Sequence, residues 1–528
     1  MKLGSQKSRK VSFATPQPPV DENRSTAAPA HSSLAARLST RSSVDSSRGS
    51  QTAAVGGDGF GPCSAGHNGH AHALSAVLRE SGARLVVANA GDHRPIHGLL
   101  RAVHQAPSYE DFTSWIDEPS YEPRDRLLVK QGERIVAHVQ VLRRVAWFCG
   151  VKIAIGGIQD LAVLPEYASL GYDRVLLSAA EQAMREDNAV LAMFCSPWPE
   201  TFRAPGWIEA GVRGHSRANV NDLLAHLSAA PAATSLKRSR AIHVRRWRHV
   251  ELDAVRAVYR EVAARRWGPL CRAEQYWQWL IGRRAHSDLI VAVEGRDAWD
   301  DMEFESRIVG YVVTHGSQIL ELHCLPNYEL AAPLLLARTC QDAIERDSHT
   351  LSLRTSANDP LHELMITAGG EWCIDERAAA DLWMVKMLDA PRWIEQIYPV
   401  LRHRAQAAGL ARPLEISFDT GSDHFRLTIT RRSSRLVAER PAPENLSLGE
   451  SPPHDTTMAA TASADPTTAD LNCKPEALAA LLIGGLNIEQ ACSEGLIRAV
   501  AGEQVLCGLA ALFPPTLFWQ SQFDWLRF

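Results

Sequence analysis

"LPEYASLGYDRVLL", residues 164–177, decides how the rest of the chain is read. A strand-like apolar run, "VKIAIGGIQDLAVLP", leads into it. From Val175 the apolar positions change to helical spacing: Leu176, Ala179, Ala180, Ala183 and Met184 fall on one face. A strand joined to a helix through a glycine-bearing turn is a place where folds hold a phosphate, because the first helical N–H groups lack intrahelical partners and point there. A phosphate cradle usually offers several glycines and a cation; this turn offers one glycine, Gly171, and has Asp173 where a small residue is expected.

On the N-terminal side, "ARLVVANAGDHRPIHGLLRAVHQ" predicts a strand and then a helix, with Pro95 near the helix start. A hairpin follows: "RLLVK", the turn "QGE", then "RIVAHVQVL". Cys149-Gly150 marks a second turn, and the buried-strand run "VLAMFC" closes the unit. The unit then recurs. "LAVLPEY" at 161–167 reads against "LHCLPNY" at 322–328, and "AEQAMREDNAVLAMFCS" against "CQDAIERDSHTLSLRTS". This is a tandem duplication. The second copy has no glycine in the corresponding turn, "LPNYELAAPLLLA".

A different pattern starts near residue 390. "PRWIEQIYPVLRHRAQAAGL" places Trp393, Ile397, Val400 and Leu401 on one helical face. Leu414, Ile416 and Phe418 then alternate, as do Phe425, Leu427 and Ile429 after the turn "DTGSDH", which predicts a hairpin with one buried face. Two helix patterns and an aromatic run, "FPPTLFWQSQFDWLRF", follow. Residues 1–75 and 438–470 are low in aromatic residues and rich in small and polar ones; burial there cannot offset ordering entropy, so both are expected to be mobile.

Composition narrows the class. A chain of 528 residues is too long for one core, so three or four domains are expected. A net charge of −4 argues against general nucleic-acid binding, which needs a basic surface. No apolar run approaches bilayer length, and no apolar segment follows the basic residues at the start, so neither a membrane span nor a secretory signal is expected. The ten cysteines are scattered without a CxxC pair and read as reduced thiols in a cytoplasmic protein.

With the strand order and the turn established, the first unit resembles a GCN5-related N-acetyltransferase (GNAT) domain, the second a degenerate copy, and the third a sterol-carrier-protein-2-like domain. The layout is similar to the enhanced-intracellular-survival type of acetyltransferase. The resemblance implies an α/β (α+β) fold of two tandem GNAT-like mixed-sheet domains, 76–235 and 236–390, followed by an SCP2-like α+β domain, 391–528. It implies acetyl-CoA as acyl donor, bound in the first unit alone, and a primary amine as acceptor, on a small molecule or a lysine. Self-association is left open.

By the resemblance, Leu161, Ala162 and Val163 offer backbone hydrogen bonds to the pantetheine. Ala168, Ser169, Leu170, Gly171, Tyr172 and Asp173 form the pyrophosphate loop, and Arg174 can stand in for the missing cation. Losing one charge-assisted contact costs about 1.5–3 kcal/mol, while backbone donors persist whatever the side chains. Asp173 can instead cap the helix, its carboxylate turned away from the ligand. The general-acid tyrosine of the resembled enzymes aligns with Phe202, which has no hydroxyl; a shifted register offers Thr201. Their general base, a C-terminal carboxylate, falls on Phe528. These departures leave a second reading, a non-catalytic ligand-binding or assembly module.

Other candidates compete with bland readings. His138, in the strand "RIVAHVQVL", is a candidate base or a hydrogen-bonded structural histidine. Trp198 and Trp207 can line a cleft or pack a core; Cys195 reads as a core thiol. Cys63, His67, His70 and His72 have metal-compatible spacing in what otherwise reads as a polar linker, and His315 and His323 do not.

Overall fold

The computed structural model describes residues 76–105, 107–196, 206–229, 241–295, 307–328, 330–372, 382–410, 412–430, 434–439, 468–501 and 503–525. The first unit runs β1 (Ala83–Val87), α1 (His93–His104), α2 (Tyr109–Ile116), β2 (Arg126–Gln131), β3 (Arg134–Phe148), β4 (Val151–Val163), α3 (Tyr172–Glu186) and β5 (Leu191–Ser196). After β6 (Ile208–Asn219) and α4 (Val220–Ala229), the order recurs. It runs β7 (Ile242–Arg246), α5 (Leu252–Ala264), β8 (Trp267–Leu270), α6 (Glu274–Gly282), β9 (Asp288–Glu294), β10 (Arg307–His315), β11 (Gln318–Cys324), α7 (Ala331–Ile344) and β12 (Thr350–Ser356). α8 (Pro360–Thr367), β13 (Glu371–Trp372) and β14 (Leu382–Met387) follow.

These strands form a single fourteen-stranded sheet, in the order β1-β2-β3-β4-β5-β14-β6-β12-β11-β10-β9-β7, with β8 beside β3 and β13 beside β6. The path is symmetric about the β14–β6 pair. β6 follows β5 in the chain yet pairs with β12, and β14 follows β12 yet pairs with β5. The two units therefore exchange their closing strands. The turn between β3 and β4 has Cys149 at φ 48° and Gly150 at φ 100°, the positive values that a tight hairpin between right-twisted strands requires.

The rest of the chain forms α9 (Ala390–Gln396), α10 (Tyr398–Ala407), β15 (Leu414–Asp419), β16 (His424–Ile429), β17 (Ser434–Glu439), β18 (Thr468–Cys473), α11 (Pro475–Leu482), α12 (Ile488–Ser493), β19 (Ile497–Ala501), α13 (Glu503–Leu512) and α14 (Gln522–Trp525). Its five strands make a second sheet, β17-β16-β15-β18-β19. The expected hairpin has the register its alternation dictates: Leu414 faces Ile429, Ile416 faces Leu427 and Phe418 faces Phe425, all buried. The helix expected after residue 390 is broken at Ile397, because Pro399 sits in the first turn of α10 and has no N–H to continue the ladder. Residues 438–439 close β17 and 468–470 open β18, where Ala469, Leu471 and Cys473 alternate inward; the expected insertion is therefore shorter at both ends. Its remainder, and residues 1–75 with Cys63, His67, His70 and His72, lie outside the described residues.

One apolar core joins the two sheets. Trp393 from α9 meets Phe148 at 5.0 Å and Trp267 at 5.6 Å between ring centroids, and residues of β5, β14 and the five-stranded sheet belong to the same cluster. No helix of the described residues is long and apolar enough to cross a membrane.

The exchange predicts how fragments behave. A chain of residues 76–235 leaves β5 without β14 and β6 without β12. Alone it is expected not to melt cooperatively; co-expressed with residues 236–528 it is expected to be recovered as a complex. A cooperative thermal transition of the lone fragment, followed by circular dichroism, would refute the dependence.

Candidate functional site

β4 and β5 run parallel and pair over Ile155–Gly157 and Leu191–Met193. Beyond that, Ile158–Val163 and Phe194–Ser196 part, which opens a wedge at the carboxyl ends of both strands. A bulge precedes the wedge: the β3–β4 register shifts between His138 and Gln140, and Asp160 adopts φ 55°. The N–H of Leu164 bonds back to Val136 O at 3.0 Å. Strand alternation then turns the backbone groups of Leu161 and Val163 toward the wedge and those of Ala162 toward β3.

The turn after β4 is a 3-10 helix, Pro165–Leu170, followed by Gly171 at φ 74°. Gly171, and not Asp173, is the N-cap of α3; Asp173 lies in the first turn and makes no cap, so the first N–H groups of this fifteen-residue helix carry no side-chain cap. A Cβ at Gly171 would meet nothing within 4 Å, so the space before the helix end is open. Ala168, Ser169, Leu170 and Arg174 are exposed, Asp173 is half-buried and Tyr172 is buried. At the start of the turn, the exposed Glu166 pairs with Arg134 at 2.7 Å.

A cluster that the sequence did not announce supports the bulge. His138 is fully buried, donates from Nδ1 to Asp160 O at 2.8 Å, and accepts at Nε2 from Arg126 at 3.1 Å. Burial first, and the Arg126 cation second, push its pKa down to about 3. A neutral imidazole with both nitrogens engaged is not a general base at neutral pH, so of the two readings of His138 the structural one holds. Arg126, also fully buried, donates to the Tyr121 hydroxyl at 3.1 Å and lies over the Phe112 ring at 4.8 Å. His104, the last residue of α1, brings Nε2 to 3.0 Å from Leu161 O, where the pantetheine is expected. Nothing in the sequence signals that contact, which spans 57 residues.

Farther down β4, away from the turn, lies a cavity of about 680 Å³. Its walls include Leu142, Arg144, Gly156 and Met184 from the first unit and Arg272 and Tyr276 from the second. Its charged groups are committed: Arg144 to Glu118 at 2.7 Å and Asp187 to Arg143 at 2.7 Å. Trp207 is a core residue, edge-on to Phe194 at 4.7 Å. Trp198, Thr201, Phe202 and Phe528 lie outside the described residues. Among the described residues no three His, Cys, Asp or Glu side chains gather as metal ligands do.

The His138 cluster carries a stability prediction. His138→Leu leaves a buried Arg126 donor without its acceptor, a loss of about 1–3 kcal/mol. The denaturant midpoint is expected to fall; an unchanged midpoint would show that Arg126 finds another partner.

Residues 87–209 match the acetyltransferase (GNAT) domain family. No curated protein matches the chain. Among solved structures, a GCN5-related N-acetyltransferase from Kribbella flavida is similar, with 19% identity and TM-score 0.57 over 83% of this chain and 97% of that one. A conserved protein of unknown function from Enterococcus faecalis V583, a probable N-acyltransferase, has 12% identity and TM-score 0.61 over 83% and 98%. Eis1 from Mycobacterium abscessus has 14% identity and TM-score 0.50 over 83% and 98%. At such identities these structures share a fold with the chain; the family match goes further, and the chain carries a GNAT acetyltransferase domain at residues 87–209.

Proposed function

We propose that the protein is an acetyl-CoA-dependent N-acetyltransferase acting on a primary amine by direct transfer, with the coenzyme held by the first unit. The observation that carries this reading is the alignment of three features along β4. The open turn at Gly171 stands at one end, the β4–β5 wedge in the middle, and the 680 Å³ cavity at the other end. The uncapped N–H groups of α3 suit a pyrophosphate, since helix N-termini favour anions. Leu161 and Val163 would take the pantetheine amides by adding an extended strand to the wedge, as sheet edges take peptides. His104 already occupies one lone pair of Leu161 O, leaving the other for the ligand.

Acetyl-CoA supplies an activated acyl group. The protein's share is to orient an amine toward it and to exclude water. The cavity's apolar walls, Leu142, Ile155 and Met184, suit the body of an acceptor. Backbone donors at the wedge would stabilise charge developing on the carbonyl oxygen. Asp173 in the first turn of α3 and the absence of a loop cation favour the second reading, a module that binds its ligand without chemistry.

One variant tests the coenzyme claim. Gly171→Trp fills the open cradle and forces a bulky residue into the left-handed region, at roughly 1–2 kcal/mol of strain. Coenzyme A binding by isothermal titration is expected to vanish while the far-ultraviolet dichroism is retained. Unchanged affinity would remove the first unit's turn as the coenzyme site. Native protein that binds coenzyme A but acetylates no amine, by mass spectrometry, would decide for the binding module.

A further inference from the structure

The second unit has its own wedge. β11 and β12 pair in parallel over Gln318–Ile319 and Ser352–Leu353 and then part, and β11 carries a bulge against β10 between Val313 and Thr314. Aligning Leu161–Tyr167 with Leu322–Tyr328 sets Glu321 at the place of Asp160 and His323 at that of Ala162. This wedge is filled by the protein itself. From β12, Ser356 Oγ donates to Phe518 O at 2.8 Å; on β11, Glu321 accepts from the Ser521 hydroxyl. Trp519 Nε1 donates to Asp359 at 2.9 Å, and its ring lies 5.1 Å from that of His323. Phe523 is fully buried in the core of the second unit.

A charged clamp closes over the segment. Arg272 donates to Glu321 at 3.0 and 2.5 Å and to Asp524 at 2.8 and 3.0 Å, and all three side chains are fully buried. Arg272 also lies over the Tyr259 ring at 4.0 Å. Gly268 completes the fit: a Cβ there would come within 2.3 Å of Trp519 O. Independently, the turn of this unit is poorer as an anion cradle. It lacks glycine, and Pro333 in the first turn of α7 has no N–H to offer.

We propose that the wedge of the second unit is a peptide-binding site whose occupant is the segment Phe518–Asp524 of the same chain. The segment lies where a coenzyme would lie if this unit worked as the first is proposed to. The site recognises a short peptide with an aromatic at Phe518 and Trp519, a hydroxyl at Ser521, an aromatic at Phe523 and a carboxylate at Asp524. Since Arg272 also walls the 680 Å³ cavity, the bound peptide shapes the side of the acceptor chamber that the second unit contributes. The comparison of clefts rests on the proposed function; the peptide site itself does not.

Amide hydrogen exchange of the full chain, without coenzyme, tests the site. Arg272→Met acts from the wedge, and Ser521→Ala/Asp524→Ala from the segment. Each is expected to reduce protection of amides 518–524 on the order of 100-fold, as expected when a partner in a buried ion pair is removed. Protection across the β9–β10 pair is expected to persist. If Arg272→Met loosens β9–β10 as well, the segment variant decides. Amides 518–524 that stay protected in the segment variant would overturn the proposal. So would a coenzyme A titration of the native chain that saturates at two equivalents.

Discussion

The β14–β6 pair is the constraint on which the rest of the molecule depends. Each of the two strands completes the sheet of the unit it does not belong to in sequence: β14 covers β5, and β6 covers β12. Neither unit has a finished sheet without the other, since an uncovered edge would leave a row of unpaired backbone groups. The exchange also fixes where the wedges lie. β5 and β12 are both held along one side by an exchanged strand, which leaves their parallel neighbours β4 and β11 free to part at the carboxyl ends.

Duplication of one fold therefore yields two wedges with different contents. In the first, the strand ends open onto an exposed turn, with a glycine at φ 74° and uncapped helical N–H groups behind it. In the second, Pro333 removes one such donor, and Trp519, Ser521 and Phe523 take up the space. The bulge that both wedges share is supported differently. His138 and Arg126 hold it in the first unit, and Tyr311, Glu321 and Arg272 in the second.

Much of this was legible locally. Alternation at Leu414–Phe418 and Phe425–Ile429 predicted a buried hairpin face because register on a half-buried sheet is dictated by which side chains must go inside. The glycine turn and the Leu176, Ala180 and Met184 line of α3 followed from spacing alone, although the buried stripe leans toward Leu177 and Glu181 and leaves Ala179 and Ala183 half-buried; the repeat followed from matching "LAVLPEY" with "LHCLPNY". What failed was long-range or conditional. The strand exchange cannot be read from two patterns that look alike. His104 reaches Leu161, and Arg272 reaches Asp524, across loops whose closure leaves no periodic mark. His138 stood between a catalytic and a structural reading because a histidine in a strand beside a cleft carries no sign of burial or of the arginine that keeps it neutral.

A peptide held in an apolar wedge could be bound by apolar contacts alone, and the use of an ionic clamp needs a physical reason. Burying an arginine with two carboxylates costs desolvation that their attraction barely returns, whereas removing one partner costs about 3–5 kcal/mol. The clamp is thus a poor source of stability and a strong filter of register. Slipping the segment by one residue would move Asp524 off Arg272 and leave buried charge unpaired. The guanidinium donates two hydrogen bonds to each carboxylate. Glu321, also bonded by Ser521, is held down at about 2, while burial outweighs Asp524's share of Arg272 and raises its pKa. Arg283, which donates to Phe523 O at 2.7 Å, supplies a second positive charge nearby. Specificity in this wedge therefore comes from the penalty on the wrong register, and the aromatic side chains on either side of the clamp supply the adhesion.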